Sequence, residues 1–282
     1  MEELNGTGKG IMGVGGKAAV KPIAVVGDGM MDYWHVGAAE HLSFEAPVPV
    51  VKVQNTIATP GGAGNVADNL RKLGDEVIGI YGANHPQKHR LLVGDQQIAR
   101  WDINDCCTGI YTIELEDVLQ KCQAVIVADY AKGSITAETV KLIGKSGLPV
   151  FVDTRRSPVE WYGIATAVFP NEKEFNEFEA EYVKFNLLVR KRGALGMELY
   201  SRGRLWMTVP AMATHVRSVA GAGDTVIAAW VSEYMRQGAM ESVANRATRF
   251  AAAAAAIAVE APYTTAVARA AVEARLGGRN AS

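Results

Sequence analysis

The sequence predicts an α/β fold built on a doubly wound, mostly parallel sheet, with a small β-lid. The first observation is that short apolar runs ending in polar turns recur at 23–27, 124–128, 147–153 and 167–171. The second is that segments of helical pattern separate these runs, which is typical of parallel sheets. The third is a stretch of alternating prolines and valines at 45–53, which predicts an edge strand outside that sheet.

Composition limits the classes of function. The chain has 282 residues, of which 49% are hydrophobic, so one large core can form. A net charge of −1 argues against a broad nucleic-acid surface. The longest apolar run, 250–259, is too short to cross a membrane. Three cysteines without a disulfide framework fit a reducing compartment, so we expect a cytoplasmic protein. From the net charge and the short apolar run we expect neither nucleic-acid nor membrane partners.

The glycine-rich stretch 1–21 predicts a flexible tail, since it lacks the long apolar segment of a signal peptide. The rest, 22–282, is expected to form one domain with a β-lid from about 35–53 and 88–102. Within 88–102, Gly94 and Asp95 separate two short strands like a hairpin turn. Polar and cationic side chains on this ribbon face either solvent or an anionic substrate: Lys88, Arg90, Gln96, Gln97 and Arg100.

The stretch 219–225 organises the candidate site. Gly221 and Gly223 predict a tight turn at positive φ that opens a helix over the apolar run 226–231. Free N–H groups and the helix dipole make such a terminus an anion site. Asp224 lies inside it, where a phosphate would repel a carboxylate, so we interpret Asp224 as a base that deprotonates a hydroxyl attacking phosphorus. The alternative is a glycine turn with an aspartate cap.

Further polar groups follow predicted strands or open helices. Asp28 and Asp32 follow the first strand, at the sheet edge where open α/β folds bind ligands. Glycines at 61, 62 and 64 precede Asn65, whose amide can bind hydroxyl groups. Later strands are predicted at 76–81, 186–190, 197–201 and 204–209, and long helices at 66–73 and 240–259.

Four motifs in this order resemble the ribokinase-like (PfkB-type) carbohydrate kinases: 27–32, 60–65, 171–174 and 221–224. The stretches 45–52, 88–102 and 129–133 are most similar to the branch of that family that phosphorylates a heptose 7-phosphate. The resemblance covers about 22–275. It implies a ribokinase-like fold and transfer of the ATP γ-phosphoryl group to a sugar hydroxyl, the anomeric O1 in this branch.

The resemblance also implies roles for individual residues. Asp224 would be the base, and the turn of Gly221, Ala222 and Gly223 would hold phosphates and developing charge. Asn171 and Glu174 would organise Mg²⁺ through water. The β-lid would pair with its copy in a homodimer. Substrate contacts are expected from Asp32, Gly61, Gly62, Asn65, Lys88, Arg90, Gln96, Arg100, Asp129 and Lys132. Nucleotide contacts are expected from Asn171, Arg192, Gly193, Gly196, Gly221 and Gly223.

The sequence departs from the family pattern at Ser218 and Ala220, where relatives have Asp and Thr, and at Tyr263 in the loop after the last long helix. These positions help to hold a monovalent cation in many relatives, so activation by such a cation is doubtful. Two alternatives stay open: a kinase for another hexose or fructose derivative, and a non-catalytic relative that binds a sugar phosphate.

Overall fold

The computed structural model describes residues 21–238 and 240–278. The predicted flexible tail therefore lies, except for Lys21, outside the described residues. Two sheets organise the described chain, a large one at the centre and a small one beside it.

The central sheet has eight strands in the order β12-β11-β10-β9-β8-β7-β1-β4. All neighbours are parallel except β10–β11 and β11–β12. This confirms the predicted mostly parallel sheet. Its strands are β1 (Ile23–Gly27), β4 (Val77–Tyr81), β7 (Ala124–Asp129), β8 (Val150–Thr154), β9 (Ala167–Val168), β10 (Leu187–Lys191), β11 (Met197–Ser201) and β12 (Arg204–Val209).

Helices cover both faces of this sheet, as a doubly wound fold requires. They are α1 (Ala63–Lys72), α2 (Thr112–Leu119), α3 (Ala137–Lys145), α4 (Pro158–Tyr162), α5 (Glu172–Glu177), α6 (Glu179–Tyr182), α7 (Ala222–Arg236), α8 (Ala244–Glu260) and α9 (Arg269–Gly277). The helix predicted from residue 240 begins instead at Ala244, after a short 3₁₀ turn over Glu241–Val243.

Two apolar layers hold the helices to the sheet. On one face α1, α7 and α8 pack around Trp230, whose side chain is fully buried against Phe151 and Phe169. Its indole N–H donates to Thr248 Oγ1 at 3.0 Å, so the buried polar group is satisfied. On the other face α2 to α6 cover a second cluster that includes Leu115 and Tyr162. This packing fixes the amino-terminal end of α7 against the carboxyl ends of the strands.

The small sheet is the β-lid, and its strand order is β3-β2-β5-β6. Its strands are β2 (Gly29–Leu42), β3 (Pro49–Gly62), β5 (Gln87–Val93) and β6 (Gln96–Ile103). The hairpin predicted at Gly94 is confirmed, with φ of 59° at that glycine. The lid begins earlier than the predicted residue 35, because the chain continues as a long strand from Gly29 instead of turning after β1.

Strand register decides which lid residues share a face. Asp32 lies opposite Lys88, and Lys88 opposite Asp102. Two residues away along these strands, Trp34 lies opposite Arg90 and Arg90 lies opposite Arg100. The cations Lys88, Arg90 and Arg100 therefore share the face that carries Asp32. The other face carries stacked rings of Tyr33, His35, His89 and Trp101.

Candidate active site

A cavity of about 710 Å³ opens between the amino-terminal end of α7 and the carboxyl ends of β7, β8 and β10. Eight of the predicted site residues line it: Asn171, Glu174, Gly193, Gly196, Gly221, Ala222, Gly223 and Asp224. Apolar residues that include Met212, Val216, Ala252 and Val259 form another part of its wall. A cavity with one apolar wall and a cluster of polar groups at one end suits a nucleotide.

Asp224 is the third residue of α7, and only 8% of it is exposed. Its Oδ2 accepts a hydrogen bond of 2.9 Å from Asn65 Nδ2, and its Oδ1 accepts one from the hydroxyl of Tyr130. Burial raises the pKa of this carboxyl to about 6, although both hydrogen bonds act in the opposite direction. A carboxyl with a pKa near the working pH suits a general base.

Gly221 precedes α7 in the left-handed region, with φ of 76°. A Cβ there would lie 2.6 Å from Asn65 Nδ2 and 2.8 Å from Thr264 Cγ2. Glycine is therefore needed both for the backbone conformation and for the approach of Asn65 to Asp224. Gly223, for which we also predicted positive φ, lies instead in the first helical turn, because the turn already closes at Gly221.

Asp153 and Lys191 were not among the site residues predicted from the sequence, yet both line the cavity, as does Arg155. Lys191 Nζ pairs with Asp153 Oδ2 at 2.6 Å and lies near the backbone of Gly223. The guanidinium of Arg155 lies over the Tyr130 ring, 5.4 Å from its centroid. The available signal was position, since each residue stands at or just beyond the carboxyl end of a parallel strand.

Asn171 and Glu174 form a reciprocal cap at the start of α5. Asn171 Oδ1 accepts from the Glu174 N–H at 3.0 Å, and Glu174 Oε2 accepts from the Asn171 N–H at 2.8 Å. Burial and then the nearby charge of Asp153 raise the pKa of Glu174. Within 21–238 and 240–278 no cluster of three or more His, Cys, Asp or Glu side chains could hold a metal ion directly.

The lid contributes a buried ion pair. Arg90 donates to Asp32 Oδ1 at 2.7 Å, and its guanidinium lies 4.5 Å from the centroid of the Trp34 ring. Both charged residues are less than 10% exposed. A Cβ on Gly61 would lie 2.6 Å from Asp32 Oδ2, so this glycine leaves room for the carboxylate. Asp32 and Arg90 therefore neutralise each other within the lid.

Lys88 differs from the other lid cations. In the described part of the chain no carboxylate pairs with it, and its ammonium donates to Met30 Sδ at 3.0 Å. Burial lowers the pKa of Lys88, while the charges of Asp32 and Asp224 act in the opposite direction. Arg100, by contrast, makes two hydrogen bonds to Asp102, and Gln96 is exposed.

Several other predicted residues are held by protein groups. Lys132 pairs with Asp105. Arg192 pairs with Glu198 at 2.6 Å and with Glu172 at 3.3 Å. The Asp129 carboxyl, fully buried, accepts from Tyr162, from Arg156 and from the N–H of Ala131. No ligand contact of these residues follows from their positions.

Residues 87–271 match the family model described as pfkB family carbohydrate kinase, so the chain belongs to the pfkB family of carbohydrate kinases. It is similar to bifunctional protein HldE of Klebsiella pneumoniae strain 342, with 33% identity over 255 residues, 73% of this chain and 54% of that protein. HldE of Vibrio cholerae strain O395 is 34% identical with the same coverage. The chain thus spans about half the length of these curated relatives.

Solved structures agree on the fold. A ribokinase of Arabidopsis thaliana complexed with ribose and ATP superposes with a TM-score of 0.68 at 20% identity, over 91% of this chain and 99% of that one. Phosphofructokinase-2 of Escherichia coli, in complex with substrates and products, gives 0.73 at 15% identity, over 92% and 99%. These matches confirm the predicted ribokinase-like fold. Among the described helices, none combines the length and the apolar character needed to cross a bilayer.

Proposed function

We propose that this protein transfers the γ-phosphoryl group of ATP to a hydroxyl of a sugar phosphate, with the anomeric O1 of D-glycero-D-manno-heptose 7-phosphate as the expected acceptor. One observation carries the proposal. A buried aspartate, whose carboxyl has a pKa of about 6, lies at a helix amino terminus and opens on a cavity of about 710 Å³. The choice of sugar rests on the resemblance of 45–52, 88–102 and 129–133 to one branch of the family.

In this proposal Asp224 accepts the proton of the attacking hydroxyl, so that the oxygen becomes a stronger nucleophile. The N–H groups of Gly223 and Asp224 lie in the first turn of α7, where a helix has no internal acceptors for them. They and the helix dipole favour the negative charge of the transferring group. Lys191 lines the same cavity, where its ammonium pairs with Asp153 and can also approach a phosphate. Catalysis then consists mainly of positioning and charge stabilisation.

The donor set fits a Mg²⁺ ion held through water. Asp153, Asn171 and Glu174 line one part of the cavity, and their oxygens are the hard ligands that Mg²⁺ prefers. Burial and then the charge of Asp153 raise the pKa of Glu174, and a divalent cation would relieve the repulsion between the two carboxylates. A bound Mg²⁺ would neutralise phosphate charge. We expect no strong potassium activation, since Ser218 and Ala220 offer no carboxylate.

For the distal phosphate of the sugar we propose Lys88 as the principal cation. Arg90 was an equal candidate from the sequence, but its guanidinium is committed to Asp32 and to the Trp34 ring. Lys88 shares the face of Asp32 and has no carboxylate partner in the described chain. A partly buried ammonium without a carboxylate partner loses part of its hydration without compensation, which supports a role in binding an anion.

The test is a phosphoryl-transfer assay of the purified chain with ATP, Mg²⁺ and a sugar panel. The panel contains heptose 7-phosphate, fructose 6-phosphate and the unphosphorylated sugars, with ADP release as the rate and ³¹P NMR to identify the product. We expect the highest kcat/KM on heptose 7-phosphate. A preference for an unphosphorylated sugar would favour the plain-hexose alternative, and sugar-phosphate binding without ADP release would favour the non-catalytic one.

We also propose a homodimer in which the β-lid meets its copy. The outer strand β6 has eight consecutive exposed residues, among them Ile98, Trp101 and Ile103. An exposed apolar edge strand favours pairing with another strand, and twofold pairing of one surface with itself is the commonest form of assembly. Light scattering at micromolar protein should give the mass of a dimer, and a monomeric mass would contradict the proposal.

A further inference from the structure

The two oxygens of Asp224 are held by two different neutral donors. Asn65 Nδ2 donates to Oδ2 at 2.9 Å, and the Tyr130 hydroxyl donates to Oδ1. Asn65 belongs to a motif already assigned to the sugar site, whereas Tyr130 has no role in the proposed mechanism. In the described chain no lysine or arginine forms an ion pair with Asp224, and the nearby charges of Asp153 and Lys191 act on its pKa in opposite directions. Each carboxylate oxygen has two acceptor positions, so a substrate hydroxyl can still approach while both donors stay in place.

The loop that carries Tyr130 is fixed at several points. The buried carboxylate of Asp28 accepts the backbone N–H groups of Tyr130 at 2.8 Å, Lys132 at 3.0 Å and Ser134 at 3.0 Å. Ala131 adopts φ of 58°, which is uncommon for a residue with a side chain. Backbone strain of this kind persists where surrounding contacts hold it. The loop therefore presents the Tyr130 hydroxyl to Asp224 in one defined position.

We propose that Tyr130 is a positioning residue that orients the Asp224 carboxylate and stabilises its anionic form, so that the base is ready for the substrate hydroxyl. The inference rests on the proposed function, because it presumes that Asp224 acts as the base. Tyr130 is suited to this role because it remains a neutral donor. Burial and the charge of Asp224 raise the pKa of its phenol well above the ordinary value.

Loss of the Tyr130 hydroxyl should raise the pKa of Asp224. A hydrogen bond to the charged form of an acid lowers its pKa. Removing the Tyr130 hydroxyl leaves Asp224 buried with one donor fewer, so its pKa should rise from about 6. Loss of one hydrogen bond to a charged group corresponds to a rise of about one to two pH units. Turnover should then fall most at low pH and recover at high pH, which a general loss of packing would not produce.

The test compares the pH profiles of kcat for the parent, Tyr130→Phe and Tyr162→Phe. Tyr162 is the matched control, since its hydroxyl is also buried and donates to an aspartate, but that aspartate is Asp129. In Tyr130→Phe we expect the acid limb to move up by about one to two pH units, with a loss of about 5- to 50-fold at pH 6, where half of the parent base is already ionised. The acid limb of Tyr162→Phe should stay at the parent value.

A second measurement does not depend on turnover. Titration of ¹³C-labelled aspartate carboxyls by NMR, with Asp224→Asn to assign the resonance, should show the same upward shift in Tyr130→Phe. An acid limb that depends on Asp224 but does not move in Tyr130→Phe would overturn this inference alone. An Asp224→Asn variant as active as the parent would overturn the proposed function and the inference together.

Discussion

Two buried aspartates in this protein have similar surroundings and different consequences. Asp129 ends β7 and Asp224 lies in the first turn of α7, and each accepts a hydrogen bond from the hydroxyl of a tyrosine. Arg156 also pairs with Asp129, at 2.8 Å. Asp224 has the neutral amide of Asn65 instead. Burial raises the pKa of both carboxyls.

The difference lies in charge compensation and access. The Asp129 carboxyl has a guanidinium, a phenol and a backbone N–H around it, and Asp129 is fully buried. Asp224 lines the large cavity and has no cation paired with it in the described chain. A compensated buried carboxylate holds structure together, whereas an uncompensated one beside a cavity is available for chemistry. Residue type and sheet position alone do not separate these two cases.

The largest expected effect is a loss of kcat that distinguishes Asp224 from Asp129. Asp224→Asn should lower kcat by about two to four orders of magnitude, the usual scale for loss of a general base. Asp129→Asn should instead weaken the fold by about 3 kcal/mol, because Arg156 loses its charged partner. The measurements are kcat at saturating substrates and urea unfolding of both variants. Comparable activity losses per folded molecule would show that Asp129 also belongs to the catalytic site.

The second prediction concerns how the free energy of unfolding of Asp224→Asn, relative to that of the parent, changes with pH. Its pKa is 3.8 unperturbed and about 6 in the folded protein. Between these values the folded protein holds a proton that the unfolded chain has lost, so the parent becomes less stable as pH rises through that window. Asp224→Asn lacks this pH-dependent contribution to stability, because the amide does not titrate. Its free energy of unfolding relative to the parent should therefore rise by about 3 kcal/mol between pH 3.5 and pH 8.

Urea unfolding of Asp224→Asn and the parent at several pH values measures that difference directly. The informative quantity is its change with pH, since any packing effect of the substitution is common to all pH values. A difference that stays constant from pH 3.5 to pH 8 would contradict the raised pKa of Asp224 and remove the physical basis for its role as the base.

The sequence predicted much of the fold because local patterns determined it. Apolar runs ending in glycine or aspartate gave the parallel strands, and β12 was predicted with the bounds that the structure has. Asp224 was found because its position at a glycine turn is itself unusual. Tyr130 and Lys191 could not be found in the same way. Their proximity to Asp224 depends on neighbouring strands of the sheet, and no local pattern encodes the distance between them.

The sequence also could not show which cations of the lid form ion pairs. Lys88, Arg90 and Arg100 looked equivalent as three cations on one ribbon. Strand register places all three on the face of Asp32, as an anion-binding lid requires. It also places Arg90 against Asp32 and Arg100 against Asp102, which leaves Lys88 unpaired. A pairing across 58 residues follows from tertiary structure and not from spacing along the chain.

The third prediction applies the same comparison to these cations. Lys88→Met keeps much of the apolar stem but removes the charge, and should lower kcat/KM for a sugar phosphate by about 12- to 150-fold, the equivalent of 1.5–3 kcal/mol. The KM for ATP should change by less than about twofold. Arg100→Met is the control, since Arg100 is paired and exposed. Equal losses of kcat/KM in the two variants would indicate that the cations of the ribbon attract the sugar phosphate together, and that Lys88 is not its principal binding residue.

The smallest expected effect is a change in stability at Ala131, which lies in the loop that contacts both Asp129 and Asp224. The N–H of Ala131 donates to Asp129, while its neighbour Tyr130 reaches Asp224. Ala131 has φ of 58° and an exposed side chain, so Ala131→Gly relieves backbone strain with little loss of buried surface. Relief of about 1–2 kcal/mol exceeds the cost of a more flexible unfolded chain, about 0.4–1 kcal/mol, which leaves a gain of about 0.5–1 kcal/mol.

Ala137→Gly is the matched control, because Ala137 is also exposed but begins α3 with ordinary helical geometry. There glycine should destabilise the fold by at most about 0.5 kcal/mol, because Ala137 is the first residue of the helix and the full cost of about 0.5–1 kcal/mol applies to helix interiors. Opposite signs in urea unfolding would show that the loop stores strain. If both variants lose stability, the left-handed conformation of Ala131 costs little, and the hydrogen bonds of the loop to Asp28 are then the main determinant of the position of Tyr130. Asp28→Asn would then move the acid limb of kcat as far as Tyr130→Phe does.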